Sequence, residues 1–257
     1  MSIHNEIYEI KQKIHGRINH PYMSEKVDQP SISEDKIFFL KLFIEESIKG
    51  VDYKETYLVA TMLMQIAMDT HDQVPEQLAS EAFHKQQLTV LAGDLYSGLF
   101  YEGLAQLEDV SLIQALAGAV REMNERKMTV YHNQFHKLED LLCEVREIES
   151  MLIKKVAEYF QMPDIVEIMS DWLLIKRLQV ESEHNHQKDF SPHLTFTLGE
   201  ERLSLGGKVR PLIHEKTKEL TSKVYEQVQN LHNDHIKGKL LEWFHGLPSQ
   251  EILLEEG

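Results

Sequence analysis

Apolar residues recur every three to four positions along most of the chain, the period of a helix with one buried face. Glycine and proline are sparse, at 12 and 7 of 257 residues, so little interrupts that rhythm. The spacing predicts helices over about 2–17, 34–49, 53–74, 84–107, 109–131, 135–161, 163–181, 211–231 and 236–245. Ser33 followed by Glu34 and Asp35 suits an N-cap with acidic residues against the helix dipole, and Pro163 suits an opening turn. Pro75 should stop the helix that starts near 53. One stretch breaks the pattern: over 193–209, Leu194, Phe196 and Leu198 alternate with polar residues between turn-forming glycines, which predicts an irregular segment or short hairpin. No linker, internal repeat or low-complexity tract divides the chain, so the expected fold class is an all-α, single-domain helical bundle over 1–257.

Composition narrows the function more than the fold. Hydrophobic residues at 42% and charged residues at 27% suit a globular chain with a sizeable core. A formal net charge of -15, with no dense Lys and Arg cluster, excludes phosphate-backbone binding and hence nucleic acid. Cys143 is the only cysteine, so no intrachain disulfide forms, and a buried structural thiol is expected. The N-terminal MSIHNEIYEIKQKIH has no apolar signal core, and the longest nearly apolar run, Leu58 to Met68, is too short for a membrane span. The expected location is cytoplasmic.

Three groups of residues could carry chemistry. Gln65, Asp69 and Asp72 are spaced four and three apart, which puts them on one helical face. Paired carboxylates of this kind can hold Mg2+ against a diphosphate, although the same spacing also describes an ordinary solvated face. In QLTVLAGDLYSGLFYEGL, Leu88, Leu91, Leu95 and Leu99 are expected to form a core stripe, while Gly93, Ser97 and Gly98 permit close helix approach. Asp94 interrupts that apolar element and needs a hydrogen-bonding partner if it is buried. His132 and His136, near Glu139 and Asp140, have a zinc-compatible spacing, but no third ligand is fixed by the sequence, and His184, His186 and His193 are in the same position. There is no P-loop, no dinucleotide-binding glycine pattern and no nucleophile motif.

The segments QIAMDTHDQV, QLTVLAGDLYSGLFYEGL and VREMNERKMTVY together resemble component I of bacterial heptaprenyl diphosphate synthase. The resemblance is strongest from Tyr57 to Tyr131, is supported by HPY at His20 to Tyr22 and SEDKIFF at Ser33 to Phe39, and fades after Glu181. Leu91 to Asp94, LAGD, is also similar to a segment of the catalytic trans-prenyl synthases, which implies the all-α fold of the isoprenoid-synthase type.

Catalytic members of that fold carry two Asp-rich DDxxD motifs that hold Mg2+. The first is degenerate here, reading Asp72-Gln73-Val74-Pro75-Glu76, and the Arg-Arg-Gly run that should follow is absent. For the second, the nearest candidate is Ser170-Asp171-Trp172, one carboxylate followed by apolar residues and then Lys176 and Arg177. The resemblance therefore implies a chain with no catalytic residues and no metal of its own, joined to a catalytic subunit, component II, that supplies both the chemistry and Mg2+. Gln65, Asp69, Asp72, Glu76 and Asp94 remain as degenerate, substrate-facing candidates near a shared prenyl diphosphate cavity.

In related synthases the dimer contact uses the two helices after the first motif. This makes Tyr96, Leu99, Phe100, Tyr101, Leu116, Val120 and Met123 interface candidates, each of which could equally be core of the single chain. The isolated chain could also pair with itself. Two other readings stay open: a stand-alone Mg2+ enzyme using Asp69, Asp72, Asp94 and Glu76, and a helical scaffold that binds a prenyl lipid.

Overall fold

The structure is a computed structural model that describes residues 2–47, 54–74, 83–132, 135–183, 195–198, 201–204 and 210–245. In chain order the helices are α1 (Ile3–Ile18), α2 (Pro21–Lys26), α3 (Glu34–Glu46), α4 (Lys54–His71), α5 (Phe83–Gln106), α6 (Val110–His132), α7 (Leu138–Tyr159), α8 (Val166–Glu183), α9 (Arg210–Gln229) and α10 (Asp234–His245). A 3-10 turn at Pro163–Ile165 leads into α8, as the proline suggested. Strands β1 (Thr195–Leu198) and β2 (Glu201–Ser204) pair antiparallel with Thr195 opposite Ser204, so the irregular stretch contains a hairpin. The helix α2 had no signal in the spacing, because six residues are too few to show a period; Pro21 opens it.

The backbone forms two compact units, Met1–Gly118 with Lys155–Met162, and Ala119–Lys154 with Pro163–Gly257. In the first, α4 is buried on almost every side: Tyr57, Leu58, Ala60, Thr61, Met62, Leu63 and Met64 are all inaccessible. A helix apolar all round belongs at the centre of its layer, and α1, α3 and α5 pack on it. Helix α1 contributes one stripe, Ile7, Ile14 and Ile18. From α3 come Phe38, Phe39 and Phe43, with the first two rings edge to face at 5.1 Å. Full burial of such side chains stabilises the fold by about 1.5–3 kcal/mol each. The Ser33 hydroxyl accepts the Lys36 N–H at 3.2 Å and caps α3 as the sequence indicated.

In the second unit α8 packs on α9, and α9 on α10. The Trp172 ring lies parallel to Phe244 at 3.9 Å, and Tyr225 meets Phe244 edge-on at 6.1 Å.

Two expectations about burial are corrected. Cys143 is exposed, because it falls on the outer face of α7 between the buried Leu142 and Val145. On α5 the buried ridge is Leu88, Ala92, Tyr96, Phe100 and Leu104, a run of i+4 steps. Leu91 and Leu95 stand outside it, at 52% and 36% exposure, so they are not core.

Candidate functional site

Within the first unit, α4 carries Gln65 and Asp69, and the neighbouring α5 carries Asp94. Gln65 is buried and donates from Nε2 to Asp69 Oδ1 at 2.8 Å, so the spacing of four does place these two on one face. The Gln65 carbonyl oxygen is buried without a partner among the described residues. Helix α4 ends at His71, three residues short of the expected boundary, and Asp72 sits in the turn that follows while its N–H still donates to the Met68 carbonyl at 3.2 Å. Glu76 and Pro75 lie outside the described residues.

Gly93 of α5 has a specific cause. A Cβ there would lie 2.6 Å from Cε1 and Nε2 of His71, so the imidazole occupies the space a side chain would take. Beside it, Asp94 Oδ1 faces His71 Nε2 at 3.7 Å, too long for a good hydrogen bond. The Asp94 side chain is 64% exposed, so no burial penalty demands the structural partner the sequence suggested.

Asp171, the nearest candidate for the second motif, is in the second unit and is buried on α8. Both carboxylate oxygens are taken: Arg146 Nε donates to Oδ1 at 2.5 Å and Lys223 Nζ to Oδ2 at 2.7 Å. Arg146 also donates to Glu167 at 2.7 Å and Glu147 at 3.3 Å. Burial works against the charge on Arg146, but the hydrogen bond and the field of Asp171 outweigh it and raise its pKa. The cations adjacent in sequence serve elsewhere: Lys176 lies over the Trp172 ring at 5.0 Å, and Arg177 pairs with Glu149 and Glu181. A divalent ion needs several oxygen ligands around an open position, and a carboxylate already held by a guanidinium and an ammonium does not fit that role. Among the described residues, no three His, Cys, Asp or Glu side chains are grouped to hold a metal ion.

A third constellation was not singled out from the sequence, although an Asp directly before a helix is an N-cap signal. Asp109 caps α6 by accepting the Leu112 N–H at 3.0 Å, and its other oxygen accepts from Tyr57 at 3.0 Å and Tyr159 at 2.6 Å. Burial first, and then the hydrogen bond to Asp109, pushes the Tyr57 phenol up to about 12 and Tyr159 higher still.

Of the interface candidates, Tyr96, Phe100, Leu116 and Met123 are buried in the chain itself and offer no surface. Leu99 and Val120 are half-buried, and Tyr101 is exposed. Besides Tyr101, the exposed large apolar side chains of α5 are Phe83, Val90, Leu91 and Leu95. The two histidines His132 and His136 are exposed, while the segment from His184 to His193 lies outside the described residues.

The family model for heptaprenyl diphosphate synthase (HEPPP synthase) subunit 1 matches residues 20–234. The chain belongs to this family. Among curated relatives, heptaprenyl diphosphate synthase component 1 of Geobacillus stearothermophilus is 43% identical over 129 residues, half of this chain. The chain spans 58% of the length of that relative. Its fold is that of the helical isoprenyl diphosphate synthases. The heptaprenyl diphosphate synthase of Staphylococcus aureus superposes with a TM-score of 0.68 at 13% identity, over 95% of this chain and 97% of that one. A geranyltransferase from Helicobacter pylori complexed with magnesium and isoprenyl diphosphate gives 0.66 at 13% identity, over 94% and 96%. This chain thus has the backbone of those synthases, while its Asp171 is committed to cations from its own chain. No described helix is long and apolar enough to cross a membrane.

Proposed function

We propose that this chain is the non-catalytic subunit of a two-component heptaprenyl (or hexaprenyl) diphosphate synthase. It pairs with a subunit bearing intact DDxxD motifs and Mg2+ to extend farnesyl diphosphate with isopentenyl diphosphate. The single observation that carries this reading is Asp171, whose charge is neutralised internally by Arg146 and Lys223. Ionising an allylic diphosphate requires carboxylates free to hold metal ions, and this chain has committed Asp171 to its own cations. The product would supply the side chain of a menaquinone-type respiratory quinone in the cytoplasm.

The exposed apolar residues of α5 support a partner-facing surface. Val90, Leu91, Leu95 and Tyr101 are large side chains left in solvent along a helix whose opposite face is buried. The test is isopentenyl diphosphate incorporation by this protein alone, by the catalytic partner alone and by an equimolar mixture. Strong synthesis only in the mixture is expected. Turnover by this chain alone would refute the reading, and a mixture no better than the partner alone would remove its role in synthesis.

A further inference from the structure

Helix α5 carries its exposed apolar side chains on one side. Phe83, Val90, Leu91, Leu95 and Tyr101 all stand in solvent. At roughly 100° per residue they fall within an arc of about 140°, opposite the buried ridge from Leu88 to Leu104. Along the axis they span about 27 Å, set by the rise per residue of a helix.

One charge interrupts this face. Asp94 lies inside the arc, about 20° in rotation from Phe83 and Tyr101 and within about 3 Å of the midpoint along the axis. Its side chain is 64% exposed, and its one ion-pair neighbour among the described residues, His71 Nε2, stands 3.7 Å away, too far for a good hydrogen bond. Helix α5 supplies no cation to it. There is no arginine in α5, and its single lysine, Lys85, is on the far side of the helix, paired with Asp28 at 2.7 Å.

Gly98 lies one turn beyond Asp94 on the same arc. A Cβ there would meet nothing within 4 Å, so packing inside the chain does not call for a glycine. An interior helix glycine is destabilising relative to alanine. Here it leaves open surface beside the carboxylate, along which a long side chain can approach.

An apolar face with a central carboxylate selects its occupant by charge. In a two-fold contact between identical patches, a residue at the centre lies beside its own copy. Two copies of this face would set Asp94 against Asp94 with no lysine or arginine of α5 between them, on chains that each carry a net charge of -15. Desolvating like charges without a counter-ion is unfavourable. A different chain whose apolar face holds a cation at its centre turns the same carboxylate into an attraction.

We infer that Asp94 is the charge that makes the α5 face pair with a different chain and not with a second copy of itself. The occupant is an apolar helix face with a central lysine or arginine, which reaches Asp94 over Gly98. This rests on the role in synthesis proposed above, which makes that other chain the catalytic subunit, and it adds the chemistry by which the two are matched.

The experiment is sedimentation of the whole chain in two settings. Alone, the parent and Asp94→Lys should each stay monomeric, their equimolar mixture should form a dimer, and Asp94→Leu should dimerise by itself. With the catalytic subunit, farnesyl diphosphate and Mg2+ present, Asp94→Asn should bind that subunit at least about tenfold more weakly than the parent does, and Asp94→Lys more weakly still. Because Asp94 is exposed, the three variants should melt with the parent, which separates altered pairing from misfolding. A parent that dimerises alone, in a way that Leu91→Glu with Leu95→Glu abolishes, would overturn the inference. So would a mixture of parent and Asp94→Lys that stays monomeric, or equal binding of the catalytic subunit by the parent and Asp94→Asn. No binding by the parent itself would remove the role in synthesis along with this occupant, so the two failures are distinct.

Discussion

At Asp171 a buried carboxylate takes its counter-charge from two cations of the same chain. Its side chain is 2% exposed, and the positive charge around it comes from Arg146 and Lys223. Asp171→Ala should lower the free energy of unfolding in urea by about 3–5 kcal/mol, because it leaves the guanidinium of Arg146 without its main partner. The share from Lys223 is smaller, about 1 kcal/mol or less, since its ammonium is half exposed and screened by solvent. Added Mg2+ should leave the unfolding midpoint of the native chain unchanged; a clear rise would mean that the ion competes successfully for the carboxylate. None of this was legible locally. The sequence placed Lys176 and Arg177 beside Asp171, but the groups that reach it lie 25 and 52 residues away. The Ser33 cap was legible, because the N-cap hydroxyl and the N–H that donates to it lie within three residues.

Helix α5 shows how far periodicity goes for a single element. Its existence and its limits, Phe83–Gln106, agree with the expected 84–107 to within one residue at each end. Its buried side was not readable, because apolar residues occur nearly all round the helix and more than one i+4 ridge can be drawn through them. Packing against α4 chose the ridge through Ala92 and Tyr96, where Gly93 admits His71, and left Leu91 and Leu95 outside. Replacing both with glutamate should change the stability of the isolated chain by no more than about 0.5 kcal/mol each, as expected of surface sites. If the proposed pairing uses this face, the same double variant should weaken binding to the proposed catalytic subunit at least about tenfold in sedimentation, as charges desolvated at an apolar contact require. Strong destabilisation of the isolated chain would instead mean that these leucines are core.

At the scale of the molecule, contacts between distant segments decide what local patterns leave open. Tyr57 on α4 and Tyr159 at the end of α7 share the Asp109 carboxylate across sequence separations of 52 and 50 residues. Both phenols have folded pKa values above the ordinary 10, so the unfolded chain ionises first as pH rises. Their contribution should be complete below pH 10 and should decline as pH climbs toward about 12. Denaturation midpoints measured across that interval should fall, and Tyr57→Phe with Tyr159→Phe should flatten the decline. The sequence by itself determined the helical class, most helix boundaries, the α3 cap and the loss of the Asp-rich motifs, because each depends on residue identity or on neighbours within one turn. Only the tertiary structure decided which face of α5 is buried, why residue 93 is glycine, and which cations neutralise Asp171. Those depend on side chains that become neighbours only after the helices pack, and spacing along the chain carries no record of them.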